Sequence, residues 1–263
     1  LGDPTIEVEV ILKCGIVGRA TAPSDYSRLN NLSNDTRDGD TSRFRGLGVR
    51  WALHNMHETI FPEILNRNVL DHISIDAILA KSLKTDKKNN VSSNLTLSVS
   101  LAIASAAASL QELPLYRWIR EIANLLKFQQ STPNCNKKIT VPLPIVNMLT
   151  GNLPKYKNLD FKGFSIVPVG AKTLMDGIEM ISAVWHGTRE KLELNGDNIG
   201  ISDLGGFAPH LNTNREAVRL LEDSIKSSGF KPGQDISIYV EVSASKFFEK
   251  GLYLMHHPRI DLN

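Results

Sequence analysis

The stretch TVPLPIVNM, Thr140 to Met148, and its sequel FSIVPV, Phe164 to Val169, decide how this chain is read. Both are short apolar runs bounded by turn residues, the pattern of strands covered on two faces. Downstream, Leu174, Ile178, Ile181 and Trp185 repeat on one helical face. Thr213 and Glu216 form a capping-box pattern ahead of Ala217, Val218, Leu221 and Ile225, and Gly229 is the stop signal. Ile236 to Val242 makes a further apolar run. The second half therefore reads strand, strand, helix, helix, strand.

Upstream the order is different. Thr5 to Val10 alternates apolar and polar residues, as a half-buried strand does, and Ile11 to Ala22 reads as its hairpin partner. Tyr26 to Asp40, rich in Asn, Ser and Asp, reads as a loop. Val49, Ala52, Leu53, Met56 and Ile60 then fall at helical spacing. Ile73 to Leu83 and Asn94 to Leu110 give two more helices, the second limited by Pro114. The polar stretch Gln129 to Lys138 reads as a junction, which divides the chain into domains 1–128 and 139–263.

Bulk composition excludes some classes of partner. Of 263 residues, 41% are hydrophobic and 22% charged, the balance of an ordinary globular protein. A formal charge of +2 is too small to point to nucleic acid or an anionic membrane. The apolar stretch Leu95 to Leu110 is broken by Ser and Thr and falls short of the roughly 20 residues that span a bilayer. We expect a core helix there and no membrane. The two cysteines, Cys14 and Cys135, match no metal or redox spacing, so reduced thiols in the cytoplasm or another reducing compartment are expected. Leu1 to Val10 lacks the pattern of a signal peptide.

Eight segments carry a resemblance. In the first half they are GDPTIEVEV (Gly2 to Val10), RDGDTSRF (Arg37 to Phe44), VSLAIASAAA (Val99 to Ala108) and LPLYRWI (Leu113 to Ile119). In the second they are VPLPIVN (Val141 to Asn147), FSIVPVGA (Phe164 to Ala171), LGGFAP (Leu204 to Pro209) and EVSASKFFEKG (Glu241 to Gly251). In this order and spacing the chain resembles the enolases. The resemblance implies an amino-terminal α+β domain followed by an incomplete β/α barrel, the first three strands of the family's eight.

Enolases interconvert 2-phosphoglycerate and phosphoenolpyruvate by removing a proton beside a carboxylate. The superfamily stabilises the resulting ene-diolate with a Lys or His base and Mg²⁺. The resemblance places Glu241 at the first acidic ligand of the tighter Mg²⁺, where the family has Asp, and Ser27 at a ligand of the second. Both are vestigial in this reading. The family's Ser-His-Ala motif falls on Leu153, Pro154 and Lys155, and Pro154 has no side chain that moves a proton. Its Gln-Glu pair falls on Lys162 and Gly163, which deletes a carboxylate. Its Asp-Glu-Gly-Gly falls on Asp203, Leu204, Gly205 and Gly206, with Leu204 in place of another carboxylate. The glycines of its mobile loop are replaced over Ser24 to Leu29. The other acidic ligands and the Lys base belong to later strands. Loss of one general acid or base costs about 10²–10⁴-fold.

A non-catalytic, enolase-derived structural or adaptor subunit is therefore expected, with no cofactor, and with Mg²⁺ only if the family activity persists. The alternative is a working phosphopyruvate hydratase whose remaining barrel half is supplied elsewhere. A third reading, phosphoester binding, would use Arg28, Lys155 and Lys162. His256 and His257 are adjacent and would point to opposite faces of a strand, a poor metal pair. An open barrel edge calls for a protein partner, or self-association, at Tyr239, Val240 or Phe247 to His257.

Overall fold

The computed structural model describes residues 2–22, 37–83, 93–126, 139–151, 159–197, 199–202, 204–256 and 259–262. Two compact units, Leu1–Lys137 and Lys138–Asn263, divide the chain.

The first unit begins with an antiparallel hairpin of β1 (Glu7–Ile11) and β2 (Val17–Thr21). Alternation does what the sequence predicts. Ile6 and Val8 are buried, while Glu9 faces outward and pairs with Arg19 directly across the ladder. The turn closes on Gly15, whose φ of +87° suits a residue without Cβ. A helical segment follows: α1 (Arg50–Asn55), a π-helical turn (Met56–Ile60) and α2 (Phe61–Ile64). Its buried residues Ala52, Met56 and Ile60 are three of the positions read at helical spacing. α3 (His72–Ser82) is capped by Asp71, which accepts from the Ser74 amide.

The centre of this unit is α4 (Ser93–Leu110), packed against the hairpin, α3 and α5 (Leu115–Leu125). By length and composition it is the one described helix that could cross a membrane. Here Leu95, Val99, Ala102, Ile103, Ala106 and Ala107 form the middle of a hydrophobic core. Its small residues let the hairpin come close. A Cβ on Gly18 of β2 would lie 2.3 Å from the Ala102 carbonyl oxygen and 2.3 Å from the Ala106 amide nitrogen. The segment RDGDTSRF is also structural. Arg37 donates to the Pro4 and Leu47 carbonyls at 2.8 Å, and Asp38 accepts from the Trp51 amide at 2.8 Å.

The second unit holds a three-stranded antiparallel sheet in the order β3 (Val146–Thr150), β4 (Gly163–Val167), β5 (Ser237–Glu241). β3 starts later than the run from Thr140 implies. Pro142 and Pro144 lack the N–H a ladder needs, so Thr140 to Ile145 forms no strand. α6 (Leu174–Leu194) and α7 (Asn214–Ser227) cover the sheet.

The buried stripe of α6 keeps Ile181 and Trp185 of the expected face but not Leu174 and Ile178. Gly177, Ile181, Val184, Thr188 and Leu192 face inward, whereas Leu174 and Ile178 are 45% and 49% exposed. Close approach sets this phase. A Cβ on Gly177 would sit 3.2 Å from Pro168, and one on Gly187 would sit 2.8 Å from the Ser228 hydroxyl. α6 also carries a complete capping box of Thr173 and Asp176 that the sequence reading passed over. In α7 the expected box is half made. Thr213 accepts from the Glu216 amide, but the Glu216 carboxylate takes the Asn212 amide instead of the cap's own. α7 turns Ala217, Leu221 and Ile225 into the unit's own core. The exposed apolar side chains of α6 lie in its first turns, at Leu174, Met175 and Ile178, and at its last residue, Leu194.

After β5 comes an unpredicted meander, β6 (Phe248–Glu249), β7 (Leu252–His256) and β8 (Arg259–Leu262). Lys250 and Gly251 both take positive φ, the tight primed turn of a two-residue hairpin. Phe247 fastens the start of this meander to the unit, its ring 6.3 Å from that of Phe161.

Candidate functional site

The β3–β4–β5 ladder sets three residues in a row across one end of the sheet. Thr150 pairs with Gly163, and Gly163 pairs with Glu241. Lys162, one residue before β4, is held by its backbone on both sides. Its amide donates to the Glu241 carbonyl at 2.9 Å, and its carbonyl accepts from Gly151 at 3.0 Å.

Glu241 therefore has a cation beside it. The Lys162 Nζ donates to the Glu241 Oε1 at 2.6 Å, and the Ser243 hydroxyl reaches the same oxygen at 3.4 Å. Both members of the pair are partly exposed, at 33% and 43% of their side-chain surface. Of the cations offered for a phosphoester, Lys162 is thus engaged, while Arg28 and Lys155 lie outside the described residues.

The other half of this end is neutral. The Asn147 Nδ2 donates to the Thr150 Oγ1 at 2.7 Å, and that hydroxyl meets the Ser202 Oγ at 2.7 Å. The Ser202 Oγ in turn accepts from the Leu204 amide at 3.2 Å. The Leu204 carbonyl, 3.5 Å from the Asn147 Nδ2, closes the loop. Phe207 locks the turn to β3, its amide donating to the Met148 carbonyl at 2.9 Å and its carbonyl accepting from Thr150 at 2.8 Å.

Two of the positions singled out from the sequence meet at Asn147. A Cβ built on Gly163 would lie 3.0 Å from the Asn147 Oδ1, and the same amide contacts Leu204. The Leu204 side chain is itself exposed. Pro154, Ser27, Asp203 and the loop Ser24 to Leu29 lie outside the described residues, as do Cys135 and His257. Cys14 is exposed and free at the turn of the first hairpin.

Asn147, Thr150 and Ser202 went unremarked in the sequence, for a physical reason. Residues three apart on a regular strand face opposite sides. A register shift between Asn147 and Leu149 breaks that rule and brings Asn147 and Thr150 together. Nothing in the local spelling announces such a bulge.

Chemically, the described residues at this end of the sheet offer hydroxyls, an amide and one closed ion pair. Among the described residues no group of three or more His, Cys, Asp or Glu converges as metal ligands would. Residues 1–119 match the enolase N-terminal domain, and residues 138–259 match the enolase C-terminal TIM barrel domain.

Proposed function

The chain belongs to the enolase family, and we propose that it is a non-catalytic member serving as a structural or adaptor subunit. The observation that carries this reading is the pairing across β4 and β5. Gly163 has no side chain where the family's proton-transfer carboxylate would stand, and Glu241 opposite it is paired with Lys162.

Enolase chemistry needs acidic ligands gathered around Mg²⁺, which demands near-octahedral oxygen coordination. A carboxylate with an ammonium 2.6 Å away does not fit that demand. Among the described residues the other polar groups at this end, Asn147, Thr150 and Ser202, exchange hydrogen bonds with one another, and none of these three is a general base at neutral pH. In this reading β3, β4 and β5, with α6 and α7, are the opening of the family's barrel.

The test is direct. The purified chain is given 2-phosphoglycerate and Mg²⁺, and phosphoenolpyruvate is followed by its ultraviolet absorbance. No turnover above a catalyst-free control is expected. Mg²⁺-dependent turnover would overturn the reading in favour of a working hydratase.

The subunit role has its own support. Among the described residues β5 pairs only with β4, and Tyr239 and Val242 are exposed along it. Met175 and Ile178 add exposed apolar surface on α6. Strand edges offer free N–H and C=O groups that natural proteins cover or charge. Sedimentation of the isolated chain at micromolar concentration is expected to show self-association. A monodisperse, cooperatively unfolding monomer would remove that part of the proposal.

A further inference from the structure

We propose that the Lys162 ammonium is a tethered cation standing beside Glu241 where a divalent metal would otherwise sit, so that this end of the sheet is independent of metal. The lysine is aimed there by the backbone. Its amide and carbonyl are fixed between Glu241 and Gly151, which leaves only its own side chain to be ordered when the pair forms. Gly163, next in sequence and opposite Glu241 in register, contributes no side chain of its own to that end.

The chemistry of the exchange is balanced. One carboxylate and one ammonium sum to zero, whereas a divalent ion on a single carboxylate keeps a surplus charge and gives up water reluctantly. A metal approaching Glu241 in this arrangement would also meet the positive charge of Lys162 at short range. The two cations are therefore mutually exclusive at Glu241. Removing the lysine is expected to uncover a weak cation site.

This inference rests on the reading of a non-catalytic site, but the two fail separately. Turnover of 2-phosphoglycerate would remove the first reading, whereas the present test is a melting measurement without substrate. The 263-residue chain, Lys162→Gln, Glu241→Gln and the double variant are melted in MgCl₂ and in NaCl of equal ionic strength. The wild-type chain and both Glu241→Gln variants are expected to show no Mg²⁺-specific shift. Lys162→Gln is expected to gain about 2 °C once free Mg²⁺ exceeds its dissociation constant several-fold. Lys162→Arg, which keeps a cation in place, is expected to behave as the wild type.

A Mg²⁺-specific shift in the wild-type chain equal to that of Lys162→Gln overturns the proposal, and so does the absence of any shift in Lys162→Gln. Should Lys162→Gln fail to fold, Mn²⁺ binding to the wild-type chain is read by electron paramagnetic resonance. Stoichiometric Mn²⁺ that Glu241→Gln abolishes would refute the tethered cation, and no such binding would support it.

Discussion

Gly18 in β2 and Gly163 in β4 are both strand glycines without a left-handed φ, yet their surroundings differ sharply. Around Gly18 a Cβ would run into backbone atoms of α4 at 2.3 Å, which cannot move without moving the helix. Around Gly163 the nearest atom is the amide oxygen of Asn147 at 3.0 Å, a side-chain end whose nitrogen donates to Thr150. The first glycine is required by packing. The second meets a side-chain end rather than backbone, and the family resemblance puts a carboxylate there. Gly18 is therefore held by backbone that cannot yield, whereas the limit on a side chain at Gly163 is set by one amide, that of Asn147.

The same substitution at both positions tests that contrast and carries the largest expected effect. Gly18→Ala is expected to cost about 3 kcal/mol, the upper end for an overpacked core, because the hairpin and α4 must part. Gly163→Ala is expected to change stability by less than about 1 kcal/mol, since Ala suits a strand better than Gly and offsets a small displacement of Asn147. Urea denaturation measures both, and hydrogen exchange of peptides from α4 and β4 assigns each loss. Equal losses at the two sites would break the comparison.

Gly206 sharpens it, because it belongs to the neutral network at the sheet's end. A Cβ there would fall 2.6 Å from the Asn147 Nδ2 and 3.0 Å from both the Met148 carbonyl carbon and the Thr150 hydroxyl. One of those neighbours is backbone and two are side-chain ends, so Gly206→Ala is expected to fall between the others, at about 2 kcal/mol. A neutral outcome in the same urea series would mean that the turn through Leu204 shifts freely, and that Asn147 does not hold it.

The legibility of the chain follows the same divide. The hairpin, α3, α4, β4, α7 and β5 are written in periodicities that local sequence carries directly. In α6 the expected Ile181 and Trp185 face the core, but Leu174 and Ile178 do not, because the small residues Gly177 and Gly187 decide where neighbours come close. The helix α5 was missed although Pro114 precedes it and Leu115, Trp118 and Ile122 keep helical spacing. The last meander was missed because its turn, Lys250 and Gly251, lacks the Asn or Asp that usually marks such turns. At the site, Gly163 and Leu204 were singled out by resemblance alone. Their shared neighbour Asn147 depends on a bulge that no local pattern specifies.

The smallest expected effect sets the charged cluster of the first unit against the closed pair of the second. Asp76 on α3 accepts from the Ser100 hydroxyl at 2.8 Å and lies 3.4 Å from the Nε2 of His72, a buried ring. Burial raises the Asp76 carboxyl, but the hydrogen bonds from His72 and then Ser100 outweigh it and hold the pKa below the ordinary 3.8. A carboxyl with a lowered folded value leaves the unfolded chain binding more protons at acid pH, so stability rises with pH across that interval. The contribution is complete above the ordinary value of 3.8 and is lost as the pH falls from there through the lower folded value. Because the Asp76 side chain is nearly half exposed, the effect should stay below about 1 kcal/mol. Urea midpoints of the wild-type chain are therefore expected to drop at acid pH more steeply than those of Asp76→Asn, with the difference confined to hydrogen exchange in α3 and α4. Parallel curves for the two proteins would show that the His72, Asp76 and Ser100 cluster is solvated rather than engaged.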